Sequence, residues 1–489
     1  MRTKKAIINS LSNVVTYILL AILTFFSRKI FLENLGVNIA GFGSLLQNIM
    51  GLLSLAELGI GIAILYALYK PYNNRDFEKV VGLVKLFGKF YKWVSLIMIL
   101  MGGIVVFLLQ YFVDGQIPLG EAQLYFIIFL VNNCVTYWFS YKFCLLNVSQ
   151  NTYLISLYDF IFKVLVISLQ LLAMISYNSY LFYLIIMFIG NLAYLITINF
   201  IINKKFPWIK TVEGKISDND KTNVFKNIKA LFVHKLGSFV VFSSDNIMIS
   251  LFINLATVAN FTNYTMITNT CNMIIGKLYE GISPSLGNLL LEKNEDEKYY
   301  IFKNLFFLNF WIASLTTIAL FNMINQFIII WLGKSYLLDD LSLIFLIVNF
   351  YLTTMRPSVE KFKEVSGLYS QDKYAPIVES IINIIFSIIF VKFIGLSGIL
   401  LGTLLSNLLV IFWIKPKIVF NNIFNKSVYE YFYLYFKYIV LLSVPLILTR
   451  TIVTLIDINK SNSISAFILN GVINLIIINL CYTIYLKYK

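Results

Sequence analysis

Apolar residues follow one another along this chain in stretches of roughly 20, each closed by a short polar interval. A helix of that length crosses the hydrocarbon of a bilayer, so the pattern predicts about fourteen spans. Six fall at 6–28, 41–68, 91–113, 122–146, 154–175 and 180–202. After a longer polar interval come 230–252, 258–278, 304–331, 341–358, 376–393, 398–414, 433–454 and 465–486. The expected fold class is all-α: a polytopic membrane protein of two pseudo-symmetric six-helix bundles plus two C-terminal helices.

The pseudo-symmetry comes from a repeated text. Lys142-Phe143 answers Lys361-Phe362, and Ser149-Gln150 with Tyr153 answers Ser370-Gln371 with Tyr374. Asp159 lies near the position of Glu379, and Asn191-Leu192 answers Asn407-Leu408. FLENLGVNIAGFG from Phe31 and FINLATVANFTNY from Phe252 keep the same offset of about 220 residues, which marks a duplicated unit. Leu130-Val131-Asn132 likewise answers Ile347-Val348-Asn349. The expected domains are an N-terminal lobe (1–202), a cytoplasmic linker (203–229), a C-terminal lobe (230–414) and the added pair (415–489). An even number of helices per copy keeps both copies in one orientation, with a cleft between them at mid-membrane.

Composition sharpens this picture. The chain has 489 residues, 59% hydrophobic and 13% charged, with mean hydropathy +0.80; a soluble domain carries about a quarter charged residues. Its net charge of +15 does not mark a nucleic-acid face, because Lys and Arg sit between apolar runs and mostly in alternate intervals. Lys70 to Lys92, Lys204 to Lys229, Lys293 with Lys298, and Lys415 to Lys426 fall in one set. The intervals 114–121, 176–179 and 252–257 hold no Lys or Arg. The positive-inside rule therefore predicts cytoplasmic termini and a multi-pass protein of the bacterial inner membrane. The start MRTKK before a long apolar run lacks a small-x-small cleavage site and reads as a retained first helix.

Four scattered cysteines without C-x-x-C spacing and a single histidine, His234, support neither a disulfide framework nor a metal site. No phosphate loop of the G-x-x-x-x-G-K-[ST] kind occurs, and no catalytic constellation or cofactor motif is present. An enzyme is not expected.

The chemistry then rests on polar groups inside the spans, where each charge needs a partner, a cavity or an interface. Asn9, Asn13, Thr16, Thr24 and Ser27 form a stripe on the first span, ending at Arg28. Ser44, Gln47, Gly51, Ser54, Glu57 and Gly61 do so on the second, with Asn48 beside Gln47. The seventh carries His234, Lys235, Ser238 and Asp245; the eighth carries Asn260, Asn263, Tyr264, Thr268, Asn272 and Lys277. These faces are candidates to line the cleft, although Gly51, Ser54 and Gly61 also suit plain helix packing and Arg28 could snorkel to the interface. Glu57 and Asp245, carboxylates deep in apolar runs, are candidates for ion coupling. Asp159, one turn from Lys163, reads as an intrahelical pair.

Residues 31–71, the segment HKLGSFVVFSSDNIMIS from His234, and GLYSQDKYAPIVESIINIIFSIIFVKFIGLSGILLGTLLSN from Gly367 carry a family likeness. The chain resembles the polysaccharide transporter (O-antigen and capsule flippase) family of the multidrug/oligosaccharidyl-lipid/polysaccharide exporter superfamily. That resemblance implies a 12+2 helix arrangement and alternating access. Its implied cargo is an undecaprenyl-pyrophosphate-linked oligosaccharide repeat unit moved to the outer leaflet. It implies a cationic cleft as well, with Arg28 at the first-span arginine position and Lys235, Lys277 and Arg356 as further phosphate-binding cations. Two phosphates entering a low-dielectric cleft need paired positive charge. Implied partners are the lipid-linked oligosaccharide, membrane lipids, a coupling ion (H+ or Na+), and polysaccharide polymerase and chain-length machinery. Alternatives within the superfamily are a lipid-linked peptidoglycan precursor flippase and a drug or organic-cation exporter. The exporter would favour buried carboxylates over buried cations. A membrane glycosyltransferase or polymerase would want a large outward loop or a catalytic acidic motif.

Overall fold

The computed structural model describes the backbone of residues 2–487 except 58, 114, 293, 369–370 and 457–462. Side chains are described apart from those positions and 2–17, 56, 227, 230–243, 280–281, 283–285, 288 and 291–292. The described chain is helical throughout. Ten of its helical segments are long and apolar enough to cross a membrane among the described residues. Large apolar side chains such as Phe107, Phe200, Phe393 and Leu455 point outward, the arrangement expected where lipid rather than water is the solvent.

The chain forms two compact units, Met1–Ala259 and Asn260–Lys489. In the first, α1 (Arg2–Leu53) is two helical legs joined at Gly36, whose φ of 82° a side chain would resist. A 3-10 turn, Ser54–Glu57, and Gly59 at φ 90° then separate α1 from α2 (Ile60–Asn73). The predicted second span is thus broken in its middle, at the polar residues of its stripe. Next come α3 (Phe77–Leu108), α4 (Gln110–Val113), α5 (Leu119–Ser140), α6 (Phe143–Val148), α7 (Thr152–Tyr177), α8 (Tyr180–Lys205), α9 (Trp208–Thr211) and α10 (Asp218–Phe252). Helix α1 packs on α7 and α10, α3 and α8 flank α5, and α2 lies against α3 and α10. The Asp159–Lys163 pair forms within α7, at 2.8 Å.

The interval 203–229, expected as a linker between lobes, is structured. Helix α10 starts inside it, capped by Ser217 Oγ, which accepts from the Asp220 amide at 3.1 Å, with Asp218 and Asp220 favourably placed in its first turn. Ahead of the cap, Lys215 N–H donates to Glu78 O at 3.1 Å, and Gly214 passes close against Gly82 of α3. Lys79 binds Asp220 at 2.8 Å and holds its carboxyl below the usual carboxylate range. Packing thus puts α10 with the first unit, and the units part inside α11 (Leu255–Glu292) rather than in the polar interval.

The second unit continues with α12 (Glu295–Trp331), α13 (Asp340–Met355), α14 (Pro357–Val365), α15 (Ala375–Ile394), α16 (Leu396–Ser406), α17 (Phe412–Val419), α18 (Tyr429–Leu455) and α19 (Ile464–Lys487). Pro357 at the first turn of α14 ends α13. π-helical turns Asn407–Ile411 and Phe420–Phe424 flank α17, which contains Pro416. The core is aromatic: Phe302, Phe306 and Phe310 of α12 meet Phe420, Phe424, Tyr438 and Tyr482. Phe310 and Tyr438 stack with ring centroids 4.6 Å apart.

Along the seam between α12 and α19 the ties are hydrogen bonds. Trp311 Nε1 donates to Asn479 Oδ1 at 2.9 Å, and the hydroxyls of Ser314 and Tyr482 meet. Asn322 Nδ2 donates to Asn474 Oδ1 at 2.7 Å and to Thr449 Oγ1 of α18 at 3.0 Å, while Asn470 Nδ2 donates to Gln326 Oε1 at 3.2 Å. Such polar contacts hold helices together where lipid removes the hydrophobic drive.

Candidate functional site

Break and charge coincide at Glu57. The 3-10 turn presents its carboxylate to two tyrosines: Tyr91 of α3 donates to Oε1 at 2.6 Å, and Tyr137 of α5 donates to Oε2 at 2.7 Å. The two rings stand edge to face, with centroids 5.2 Å apart. Each oxygen of the carboxyl is thus taken by one phenol hydroxyl. Neither tyrosine stood out in the sequence, since only the packing of α3 and α5 brings it to Glu57.

Arg28 lies half-buried on the first leg of α1. Its Nη2 donates to the Ala259 carbonyl at 3.4 Å. Phe31 meets Tyr180 and Tyr183 edge-on, at 5.8 and 5.1 Å, and Tyr125 packs on Tyr180 at 4.9 Å.

The turn from α10 into α11 docks beside this group. Leu255 N–H donates to Gln116 Oε1 at 3.2 Å, and the Leu255 carbonyl lies so near Gly41 that a Cβ there would stand 1.8 Å away. Asp245, further back on α10, has a buried Oδ1 without a hydrogen-bond partner among the described residues.

In the second unit Arg356 is not an open cation. It sits at the α13–α14 break and binds Glu379 of α15 at 3.2 Å, with side-chain exposures of 18% and 7%. Ion pairs Lys415–Glu360 and Lys363–Asp372 lie nearby, and Lys361 binds Glu364 at 2.7 Å. Sequence reading marked Glu379 only as a landmark of the repeat. Lys277 is exposed on α11.

Of the polar stripes, Gln47 is exposed, while Asn48 is half-buried and donates to Ser44 O at 2.9 Å. Asn260 is half-buried and Asn263 fully buried. Tyr264, also fully buried, donates to Asn325 Oδ1 at 2.6 Å and accepts from the Leu338 amide, and so ties α11 to α12. Asn272 Oδ1 accepts from Thr354 Oγ1 at 3.1 Å. The side chains of Asn13, His234 and Lys235 lie outside the described residues. Arg28, Glu57 and Asp245 thus belong to one unit, and Lys277 and Arg356 to the other.

No protein-family profile and no curated protein matches the chain. Solved structures do. The lipid II flippase MurJ in an inward closed conformation is similar over 98% of this chain and 99% of its own, at 13% identity and TM-score 0.68. An inward-facing multidrug resistance MATE transporter of the MOP superfamily covers 84% of this chain and 98% of its own, at 16% identity and TM-score 0.64. A MOP superfamily transporter from Pyrococcus furiosus covers 87% and 97%, at 15% identity and TM-score 0.55. The fold matches that of these transporter structures, two of them of the MOP superfamily.

Proposed function

We propose that this chain is a flippase for a polyprenyl-pyrophosphate-linked saccharide. The observation that carries this reading is the extent of the likeness. The flippase structure matches 98% of the chain, whereas the MATE transporter matches 84%. A drug or organic-cation exporter is the weaker reading for that reason. Of the lipid-linked cargoes, the peptidoglycan precursor is the better supported by the comparisons. The surface oligosaccharide of an O-antigen or capsule pathway is the second reading, favoured by the sequence likeness of 31–71 and 367–407. Both share the pyrophosphate that the cations would bind.

In this reading fourteen spans form two six-helix lobes, 1–202 and 230–414, with 415–489 appended and both termini cytoplasmic. The four spans beyond the ten apolar helices are the two legs around Gly36, α10 and α11. Arg28, Lys235 and Lys277 would hold the pyrophosphate, and Arg356 would join them only after leaving Glu379. Asn13, Gln47, Asn48, His234, Asn260, Asn263, Tyr264 and Asn272 would meet sugar or water along the path. Glu57 and Asp245 would take the coupling ion, H+ or Na+, Glu57 exchanging it against its two tyrosine donors.

Proteoliposomes loaded with fluorescent lipid-linked peptidoglycan precursor, lipid-linked oligosaccharide or an organic cation separate these readings. The expected result is translocation of a lipid-linked saccharide, lowered at least about tenfold by Arg28→Ala, the loss expected when a charge-assisted phosphate contact is removed. Transport of the organic cation alone, or an unaffected Arg28→Ala, overturns the proposal.

A further inference from the structure

One cavity of about 420 Å³ in the second unit plays no part in that path. It opens between α12, α13 and α18, at the ends of those helices away from the lysine-rich intervals 293–298 and 415–426. The volume lies in the range of small-molecule sites. Its polar lining is Asn322, Asn325, Gln326, Asp340 and Arg450. Arg450 rests over the Phe321 ring at 5.4 Å. Arg450 of α18 and Asp340 of α13, both exposed, bring opposite charges to the same space. Asn322 is 5% exposed, and its amide is turned to Asn474 and Thr449 rather than into the cavity. Asn325 Oδ1 is taken by Tyr264, which leaves its Nδ2 as a donor. Ile344, also in the lining, and Ile447, on the same helix as Arg450, are exposed apolar side chains, as at a lipid-facing opening.

The arrangement asks for a ligand with an anion, a cation or hydroxyl a short distance away, and apolar chains that remain in lipid. We infer that this cavity binds the headgroup of a zwitterionic bilayer phospholipid, its phosphate on Arg450 and Asn325 and its ammonium on Asp340. Arginine with an amide donor matches phosphate geometry. An arginine merely snorkelling to the interface would not explain the carboxylate across the cavity. The site is independent of the transported cargo and would fasten α18 to α12 and α13 through a bound lipid.

Native mass spectrometry of the full-length protein in detergent tests this with four probes. They are dihexanoyl phosphatidylethanolamine, dihexanoyl phosphatidylglycerol, tailless glycerophosphoethanolamine and inorganic phosphate. The expected order places the short-chain phosphatidylethanolamine first, at least tenfold tighter than the tailless headgroup or inorganic phosphate. Arg450→Ala should weaken it at least tenfold, and Asp340→Asn should remove its advantage over phosphatidylglycerol. Ile344→Trp, which fills the cavity and keeps Arg450, should abolish binding even if Arg450→Ala does not fold. Binding unchanged in Ile344→Trp overturns the site. Inorganic phosphate binding as tightly as the amphiphile overturns the lipid source, and equal affinity for phosphatidylglycerol in the unaltered protein overturns the zwitterion.

Discussion

Glu57 is held by donors 34 and 80 residues away in the chain. A carboxylate in a membrane protein needs compensation, and here two phenol hydroxyls supply it. Tyr91→Phe or Tyr137→Phe strands one oxygen of a half-buried carboxylate, a loss of about 1–3 kcal/mol. Each single variant should therefore melt lower in detergent and transport more slowly. A double variant losing no more than the worse single would show that the two tyrosines act as one unit. Unchanged melting and transport in both singles would mean the geometry is incidental. Sequence alone made Glu57 legible, because an acidic residue in an apolar run is conspicuous. Its tyrosines were not, since 31 tyrosines are spread through this chain and only packing selects two. The same asymmetry applies to Arg356, visible as a cation but not as the partner of Glu379.

Helices as elements were readable from apolar length, while their interruptions were not. The turn at Ser54–Gly59 lies within a hydrophobic run whose periodicity continues on both sides. The interval 203–229 read as a loop because it is polar, yet from residue 218 on it is already helix α10 and its glycine at 214 abuts Gly82. Close backbone approach also fixes the α10–α11 turn. In an ordinary helix interior Gly→Ala stabilises by about 1 kcal/mol, and Gly276→Ala, with nothing within 4 Å of the new methyl, should behave so. Gly41→Ala should reverse the sign, because its methyl would lie 1.8 Å from the Leu255 carbonyl and the turn must lift. Faster amide exchange across 253–258 in Gly41→Ala, with no such change in Gly276→Ala, is the expected result. Equal protection in both would remove the turn from any role as a docked element.

At the scale of the molecule, membrane residence and the duplicated text could both be read from the sequence. The division into packed units could not, because it depends on which helix faces meet, and α10 meets α1 and α2 although the repeat would group it with the second copy. The α12–α19 seam was equally hidden: asparagines 152 residues apart in the pair Asn322–Asn474 carry no local signal of their pairing. Ending the chain after residue 456 would strip partners from Trp311, Ser314, Asn322 and Gln326 at once. At roughly 0.6 kcal/mol for each such bond in a membrane the energetic loss is modest, yet the stranded amides would be left facing hydrocarbon. The truncated chain should accumulate poorly and aggregate in size-exclusion chromatography. A monodisperse truncated protein with an unchanged melting temperature would contradict this. The seam also sets a timetable for biosynthesis. Helix α12 leaves the ribosome well before α19 exists, so its amide-bearing face must wait in the translocon or under a temporary chaperone until the last segment arrives to cover it.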